Sequence, residues 1–349
     1  MTAPTLGLVR RCRPLLILFR KESGSEELKT IRHRVALLAP ALTLLPLVLV
    51  GRGQAPSPGE GFTIAVNTST IEAAPVYVAE ARSDAGISVV NGGVRNLSDP
   101  GVQAATNSET QMLLATTANP RIRMLLTVAE GHYRIIGRTS AGIHSLEDLR
   151  GKRITTAPQT SAHYYLFKML GSAGIRESDV TLVNVERTDM AQAIVRRDAD
   201  AISMWEPEAQ RALDGLGRDA SVFENVQLYR EWFSLYTSTD VLNDPARRRG
   251  LVRFVRALLA ATDAVRNRPQ DAIPVVARRI NQTEATVRSA WAHHVFPAAL
   301  PAQILDVLTE EDQWVAKLQQ RAPRTRTDLA GFIDSTVLAE ARQPAGRTP

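Results

Sequence analysis

Apolar residues follow two spacings along this chain, and the two spacings alternate. Runs rich in β-branched residues, such as Phe62–Val66 and residues 152–157, predict strands. Between these runs, apolar residues recur every three or four positions, as at Ala162, Leu166 and Met169, which predicts helices that are buried along one face. Strands that alternate with helices of about ten residues are typical of parallel sheets with crossover helices, so the sequence predicts an α/β fold.

The same pattern continues over most of the chain after residue 61. The predicted strands are residues 62–66, 87–90, 122–128, 133–138, 152–157, 179–185, 200–204 and 232–239. The helices predicted in the last third are residues 251–265, 271–280, 284–294, 301–318 and 328–342. We expect this C-terminal group of helices to pack on the half of the molecule that holds the first strand.

Residues 140–166 carry the most distinct local signals. Ser145 can cap a short helix, with Asp148 placed three residues later at the spacing of a capping box. Gly151 is the natural end of that helix, because glycine takes the left-handed conformation without a steric penalty from a Cβ atom.

Thr160 and Ser161 lie between the strand at 152–157 and the helix that follows it, and either hydroxyl can cap that helix. The start of a helix offers free backbone N–H groups, here at the end of a parallel strand. This place suits a small polar or anionic ligand.

The N-terminal 55 residues have the order of a secretory signal: basic residues at 32–34, an uncharged apolar run at 35–50, and small residues up to Ala55. We expect cleavage after Ala55, followed by a linker at 56–61. An uncleaved anchor and a buried helix remain alternatives. No cysteine follows the run, so a lipoprotein anchor at that site is excluded.

Charge and cysteine content exclude several kinds of function. The leader holds nine of the 42 basic and three of the 36 acidic residues, so 33 of each remain after Ala55 and give no reason to infer nucleic-acid binding. The only cysteine is Cys12, so the body of the chain has no disulfide, thiolate nucleophile or cysteine metal site. We expect no cofactor and no bound metal.

The segment GIHSLEDLRGKRI at residues 142–154 resembles the start of the second lobe in SsuA-like solute-binding proteins of the nitrate/sulfonate/taurine type, which serve ABC importers. The turn at 205–207 is similar to a glutamate-proline signature of the same lobe. With gaps, the resemblance covers residues 62–320. It implies a type II periplasmic-binding-protein fold, with two α/β lobes joined by two hinge crossings. The expected limits are 62–138 for lobe 1, 139–233 for lobe 2 and 234–349 for the return to lobe 1.

The resemblance places a ligand between the lobes, at polar turns that follow strands. The expected ligand-binding residues are Asn67, Thr68, Ser69, Asn107, Glu109, Thr160, Ser161, His163, Trp205 and Glu206. Glu109 and Glu206 would suit an amine or aminopyrimidine, and the helix start at Ser161 would suit a sulfonate, nitrate or carboxylate. Each residue also has a simpler interpretation, as a helix cap, a core aromatic or a solvated charge. The segment around 82–86 is shorter than in the family, which affects the details of lobe 1.

The predicted function is the solute-binding component of an ABC importer, exported to the periplasm or the extracytoplasmic face of the membrane. The expected partners are a small-molecule ligand and an ABC permease, and the expected state is a monomer. An enzyme on the same fold is an alternative, although relatives of that kind use cysteine residues that this body lacks. The sensing module of a signalling system is the other alternative.

Overall fold

Two β-sheets organise the computed structural model, which describes residues 61–82 and 86–344. The predicted leader lies outside the described residues, and so does the linker except for Gly61. The strands are β1 (Phe62–Val66), β2 (Ile87–Asn91), β3 (Ala104–Asn107), β4 (Ile122–Gly131), β5 (Arg134–Arg138), β6 (Arg153–Thr156), β7 (Thr181–Val183), β8 (Ala201–Met204), β9 (Ala220–Phe223), β10 (Glu231–Ser238) and β11 (His294–Val295). In the part of the chain that is described, no helix combines the length and the apolar composition needed to cross a membrane.

The first sheet has six strands in the order β11-β4-β10-β3-β1-β2. Strand β1 is parallel to β2 and β3, whereas β10 is antiparallel to β3 and β4. The second sheet has five strands in the order β7-β6-β8-β5-β9. Strand β6 is parallel to β7 and β8, and β5 is antiparallel to β8 and β9. The sequence pattern predicted parallel sheets, but both sheets are mixed. The reason is that β5 and β10 enter their sheets directly from the other sheet, without a crossover helix.

Helices fill the segments between the strands and most of the chain after β10. They are α1 (Ala74–Arg82), α2 (Glu109–Ala115), α3 (Ser161–Ser172), α4 (Met190–Val195), α5 (Glu208–Leu216), α6 (Thr239–Asn243), α7 (Pro245–Asn267), α8 (Pro269–Arg279), α9 (Glu284–Ala290), α10 (Ile304–Leu318), α11 (Arg326–Ala330) and α12 (Thr336–Arg342). Short 3-10 helices cover Val94–Ser98, Thr139–Ala141, Glu147–Leu149, Glu177–Asp179, Arg187–Asp189, Gly217–Asp219 and Trp291–His293.

Asp148 and Gly151 act as the sequence predicts, whereas Ser145 does not cap the helix, which is a single 3-10 turn that begins after Leu146 and has no side-chain cap. The Asp148 carboxylate accepts hydrogen bonds from the backbone N–H groups of Ser145 at 2.8 Å and His144 at 2.9 Å. Gly151 has φ +76°, in the left-handed region that favours glycine. The Asp148 hydrogen bonds and the left-handed conformation of Gly151 together direct the chain into β6.

Two apolar clusters hold the fold together. One lies between the first sheet and the helices α1, α7, α8 and α12, where Leu251, Val255 and Leu258 of α7 are buried at helical spacing. The other extends from α2 and α10 through the second sheet and its helices, and it includes Trp314 of α10 packed against Tyr164 of α3. This second cluster joins the two sheets by buried aromatic contacts as well as by the chain itself.

The chain passes between the sheets at two places. The first passage is the short segment between Gly131, the last residue of β4, and Arg134, the first residue of β5. The second passage lies between β9 and β10, because β10 belongs wholly to the first sheet. The predicted crossings at 133–138 and 232–239 thus become strands of the sheet that the chain has just entered. The lobe limits at 138/139 and 233/234 stay a prediction.

Candidate functional site

A cleft of about 360 Å³ lies where strand ends of the two sheets face each other. Asn67 follows β1 and Asn107 ends β3, and these two strands are parallel, so both side chains reach the same edge of the first sheet. Ser161 begins α3 after β6, and Trp205 follows β8, again at one edge of a parallel pair. This cleft is the place where a ligand can touch both sheets at once.

Five of the ten predicted residues line the cleft: Asn67, Asn107, Thr160, Ser161 and Trp205. They share a position directly after a strand, which is the signal that the sequence offered. Ser161 also contacts the first passage between the sheets, because its hydroxyl lies 2.8 Å from the hydroxyl of Tyr133. Trp205 is 9% exposed and packs at a tilt against the Tyr133 ring, with 6.2 Å between the ring centres.

Thr68 and Ser69 do not line the cleft, because they support the turn after β1 instead. The Thr68 backbone N–H and hydroxyl donate to the Asn91 side-chain oxygen at 3.2 and 3.0 Å. The Ser69 hydroxyl donates to the side-chain oxygen of Asn67 at 2.8 Å. These bonds fix Asn67 and Asn91, which do line the cleft.

Glu109 is fully buried beneath the cleft and does not line it. Its carboxylate accepts hydrogen bonds from the Tyr229 hydroxyl at 2.7 Å and from the Trp232 backbone N–H at 2.9 Å. Burial raises the pKa of Glu109 to about 7. This residue therefore ties the start of α2 to the second passage between the sheets.

The side chains of His163 and Glu206 also make their contacts within the protein. The Nδ1 atom of His163 accepts a hydrogen bond from the Gln159 N–H at 3.2 Å, and its ring stands edge-on to Trp314. Glu206, which is 1% exposed, accepts a hydrogen bond at 2.8 Å from the Nε atom of buried Arg134. Neither side chain lines the cleft, so ligand contact by either residue stays a prediction.

Twelve further residues line the cleft, and the sequence patterns did not single them out. They are Thr70, Glu72, Asn91, Gly92, Gly93, Arg95, Asn96, Ser108, Gln111, Arg187, Glu231 and Phe233. The Gly92-Gly93 pair after β2 and the Ser108 cap of α2 indicate turns. Nothing in the sequence showed that these turns lie in the same cleft as Glu231, the first residue of β10.

Charge is arranged unevenly in the cleft. Arg95 and Arg187 are exposed and lie on the 3-10 helices Val94–Ser98 and Arg187–Asp189, which follow a strand of the first and of the second sheet respectively. Glu72 and Glu231 are 1% and 5% exposed. The cleft thus has cationic groups toward solvent and carboxyl groups at its buried floor.

Hydrogen bonds cross the cleft region from one sheet's side to the other. Arg187 Nη1 donates to the Asn67 side-chain oxygen at 3.5 Å, and Gln111 Nε2 donates to the Gln159 carbonyl oxygen at 2.7 Å. Among residues 61–82 and 86–344, no group of three or more histidine, cysteine, aspartate and glutamate side chains is arranged to hold a metal ion. Polar groups from the two sheets therefore meet across the cleft.

Comparisons with known proteins agree with this architecture. The taurine-binding periplasmic protein of Escherichia coli K12 is 26% identical over 152 residues, which are 43% of this chain and 44% of that protein, so the match spans less than half of the relative. The alkanesulfonate-binding protein SsuA from Xanthomonas axonopodis pv. citri, bound to MOPS, superposes with a TM-score of 0.63 and 19% identity over 79% of this chain and 98% of that one.

The desulfurization enzyme DszB superposes with a TM-score of 0.57 and 16% identity over 80% of this chain and 98% of that one. These structural likenesses establish a shared fold and confirm the predicted periplasmic-binding-protein architecture. The family described as NMT1/THI5 like matches residues 72–272, which is more than half of the chain. The chain therefore belongs to the NMT1/THI5-like family, as its resemblance to nitrate/sulfonate/taurine-type solute-binding proteins had indicated.

Proposed function

We propose that this protein is the solute-binding component of an ABC importer and holds a small polar or anionic molecule in the cleft. The proposal depends on one observation, which is that both sheets contribute side chains to the cleft. Asn67 and Asn107 come from the first sheet, and Ser161 and Trp205 come from the second. A ligand held by both sheets favours the arrangement in which the cleft is closed. Closure by a hinge at the two passages would then report a bound ligand to a permease.

The ligand class follows from the groups that the cleft presents. Arg95 and Arg187 supply positive charge, and Asn67, Asn107 and Ser161 supply neutral hydrogen-bonding groups. A sulfonate, a nitrate, a taurine-like molecule or a pyrimidine-like molecule has the acceptor atoms that such groups recognise. We also propose that each sheet is the centre of one lobe, with the limits between the lobes close to the predicted 138/139 and 233/234.

Binding without chemical conversion is the function that the residues favour. The one cysteine of the sequence, Cys12, belongs to the predicted leader, so the body has no thiol that could act as a nucleophile. The described histidines nearest the cleft do not line it either. We further propose that the protein acts as a monomer outside the cytoplasm, after export by its N-terminal segment, beside a membrane permease.

Isothermal titration calorimetry and thermal unfolding of the purified full-length protein test this proposal. The probes are ethanesulfonate, taurine, nitrate, propionate and a 4-aminopyrimidine. A true ligand raises the midpoint of unfolding with increasing concentration, since it binds the folded state alone, and is recovered unchanged after long incubation. Absence of binding by every probe, or conversion of a bound probe to a product, contradicts the proposal.

A further inference from the structure

Two buried carboxyl groups meet at the floor of the cleft. Glu231 is the first residue of β10 and is paired in register with Gly131 of β4, while Glu72 lies just before α1. The geometry at Gly131 shows how close the two groups are. A Cβ atom at that position would lie 2.9 Å from Glu231 Oε2 and 3.3 Å from Glu72 Oε1. Both carboxyls therefore occupy the space that this glycine leaves free.

Each of these carboxyls has an oxygen that the protein does not satisfy. Within residues 61–82 and 86–344, no hydrogen-bond partner exists for Glu72 Oε2 or for Glu231 Oε2, and both atoms are buried. The other oxygens have only weak contacts: the Ser161 hydroxyl donates to Glu231 Oε1 at 3.3 Å, and His294 Nε2 lies 3.6 Å from Glu72 Oε1. Buried polar atoms in folded proteins nearly always have partners, so two such oxygens lining one cleft call for an outside donor.

Among residues 61–82 and 86–344, no lysine or arginine forms an ion pair with either carboxyl, and His294 is the one basic side chain that does, at 3.6 Å from Glu72 Oε1. Arg134, a buried arginine three residues after Gly131, donates its hydrogen bond to Glu206 instead. Arg95 and Arg187 lie at the exposed end of the cleft. An anionic acceptor such as a sulfonate oxygen would leave both carboxyl oxygens unpaired and would add electrostatic repulsion. A nitrogen with several N–H donors and a positive charge would satisfy both oxygens together.

We infer that Glu72 and Glu231 form a subsite for an amino or ammonium group, so that the ligand of this cleft is a small anion that also carries an amine. This inference rests on the proposed function and narrows it, because it selects aminated ligands over plain alkanesulfonates and simple carboxylates. The anionic end faces Arg95 and Arg187, and the nitrogen faces the floor.

Matched ligand pairs test the subsite on the unmodified protein. Calorimetry compares taurine with ethanesulfonate, and β-alanine with propionate, because each pair differs in the amino group alone. We expect the aminated member of at least one pair to bind at least tenfold more tightly, in line with the strength of a charge-assisted hydrogen bond. Equal or weaker binding of both aminated members overturns the inference and leaves the proposed function in place. No binding by any of the four overturns the inference, and the proposed function fails as well only if nitrate and the 4-aminopyrimidine also do not bind.

Two variants then locate the effect. Glu231→Gln and Glu72→Gln keep the shape of the side chain but remove its capacity for negative charge, and we expect each to reduce the preference for the aminated member at least fivefold. Glu147→Gln is the matched control, since Glu147 is exposed on the turn before Gly151, away from the cleft. Far-ultraviolet circular dichroism verifies folding. A preference that stays unchanged in both folded floor variants overturns the assignment to these residues.

Discussion

Arg134 and Glu206 form a buried ion pair, with Arg134 Nε donating to Glu206 Oε1 at 2.8 Å and the two side chains 5% and 1% exposed. The second carboxylate oxygen of Glu206 accepts a hydrogen bond from the Gln210 N–H at 3.0 Å, which ties the pair to the start of α5. The pair links β5 to the turn after β8, the neighbouring strand. It therefore joins two neighbouring strands of the second sheet.

Replacement of Glu206 is expected to reduce stability and to leave ligand affinity unchanged. In Glu206→Gln the Arg134 charge stays buried without its counter-charge, which costs about 3 kcal/mol of unfolding free energy. Urea denaturation measures that loss. The double variant Arg134→Met/Glu206→Gln is the control, and it recovers part of the loss because the buried charge is gone. A tenfold fall in ligand affinity at full stability would return Glu206 to the binding site.

Removal of the cation at position 187 is expected to weaken anion binding. Arg187 lies at the exposed end of the cleft and reaches Asn67 at 3.5 Å. Arg187→Gln should lower the affinity for an anionic ligand about tenfold, and added salt should weaken the wild type more than the variant. Arg196→Gln serves as the control, because Arg196 is exposed in the same half but pairs with Asp198 away from the cleft. Equal affinities of wild type and Arg187→Gln in calorimetry would exclude this role.

A methyl group at Gly131 is expected to disturb the floor of the cleft. Its Cβ atom would lie 2.9 Å from Glu231 Oε2, closer than real contacts allow, so the carboxyl group must shift. Gly131→Ala should weaken binding of an aminated ligand and lower the unfolding free energy by about 1–3 kcal/mol.

The control for that change is Gly171→Ala in α3. There, no described atom lies within 4 Å of an added Cβ, and alanine favours the helix by about 0.5–1 kcal/mol, so the variant should be slightly more stable. Thermal unfolding and calorimetry on both variants provide the comparison. Unimpaired amine binding in Gly131→Ala would contradict the proposed closeness of the two carboxyls to the ligand.

Stability is expected to fall as the pH rises from about 4.5 to above 7. Burial raises the pKa of Glu109 from 4.5 to about 7, so over this range the folded state keeps a proton that the unfolded state releases. The contribution of Glu109 is complete below pH 4.5 and is lost as the pH rises through 7, with a size of about 3 kcal/mol. Glu231 and Glu311 act in the same direction in the protein without ligand, since burial and neighbouring carboxyls raise the pKa of each, whereas a bound ammonium group would oppose that rise at Glu231.

Urea denaturation at pH 5 and pH 7.5 measures this slope, and Glu109→Gln should reduce it while Glu147→Gln should not. Glutamine keeps one acceptor oxygen for the Trp232 N–H, and its NH2 group can donate to the Tyr229 hydroxyl, so the variant keeps both contacts and removes the charge. The same pH slope in Glu109→Gln as in the wild type would show that other groups carry the effect.

The residues of the candidate site were predictable from the sequence where their position depends only on the end of a strand. Asn67 and Ser161 follow strands that the apolar pattern reveals, and such residues lie at the edge of the sheet where those strands end. Glu109 and Glu206 have equally good positions in sequence, yet both are buried against partners more than 70 residues away along the chain. A sequence pattern reports the direction of a side chain along its own element and not which distant residue meets it.

The sequence by itself determined the alternation of strands and helices, the turns at Gly151 and Ser161, and the kinship with a family of solute-binding proteins. Only the tertiary structure decided which acidic residues face the cleft, because Glu72 and Glu231 come together through the pairing of β4 with β10 and the packing of α1. That pairing joins residues separated by more than 90 positions. Its register depends on the packing of whole sheets, which no local stretch of the chain records.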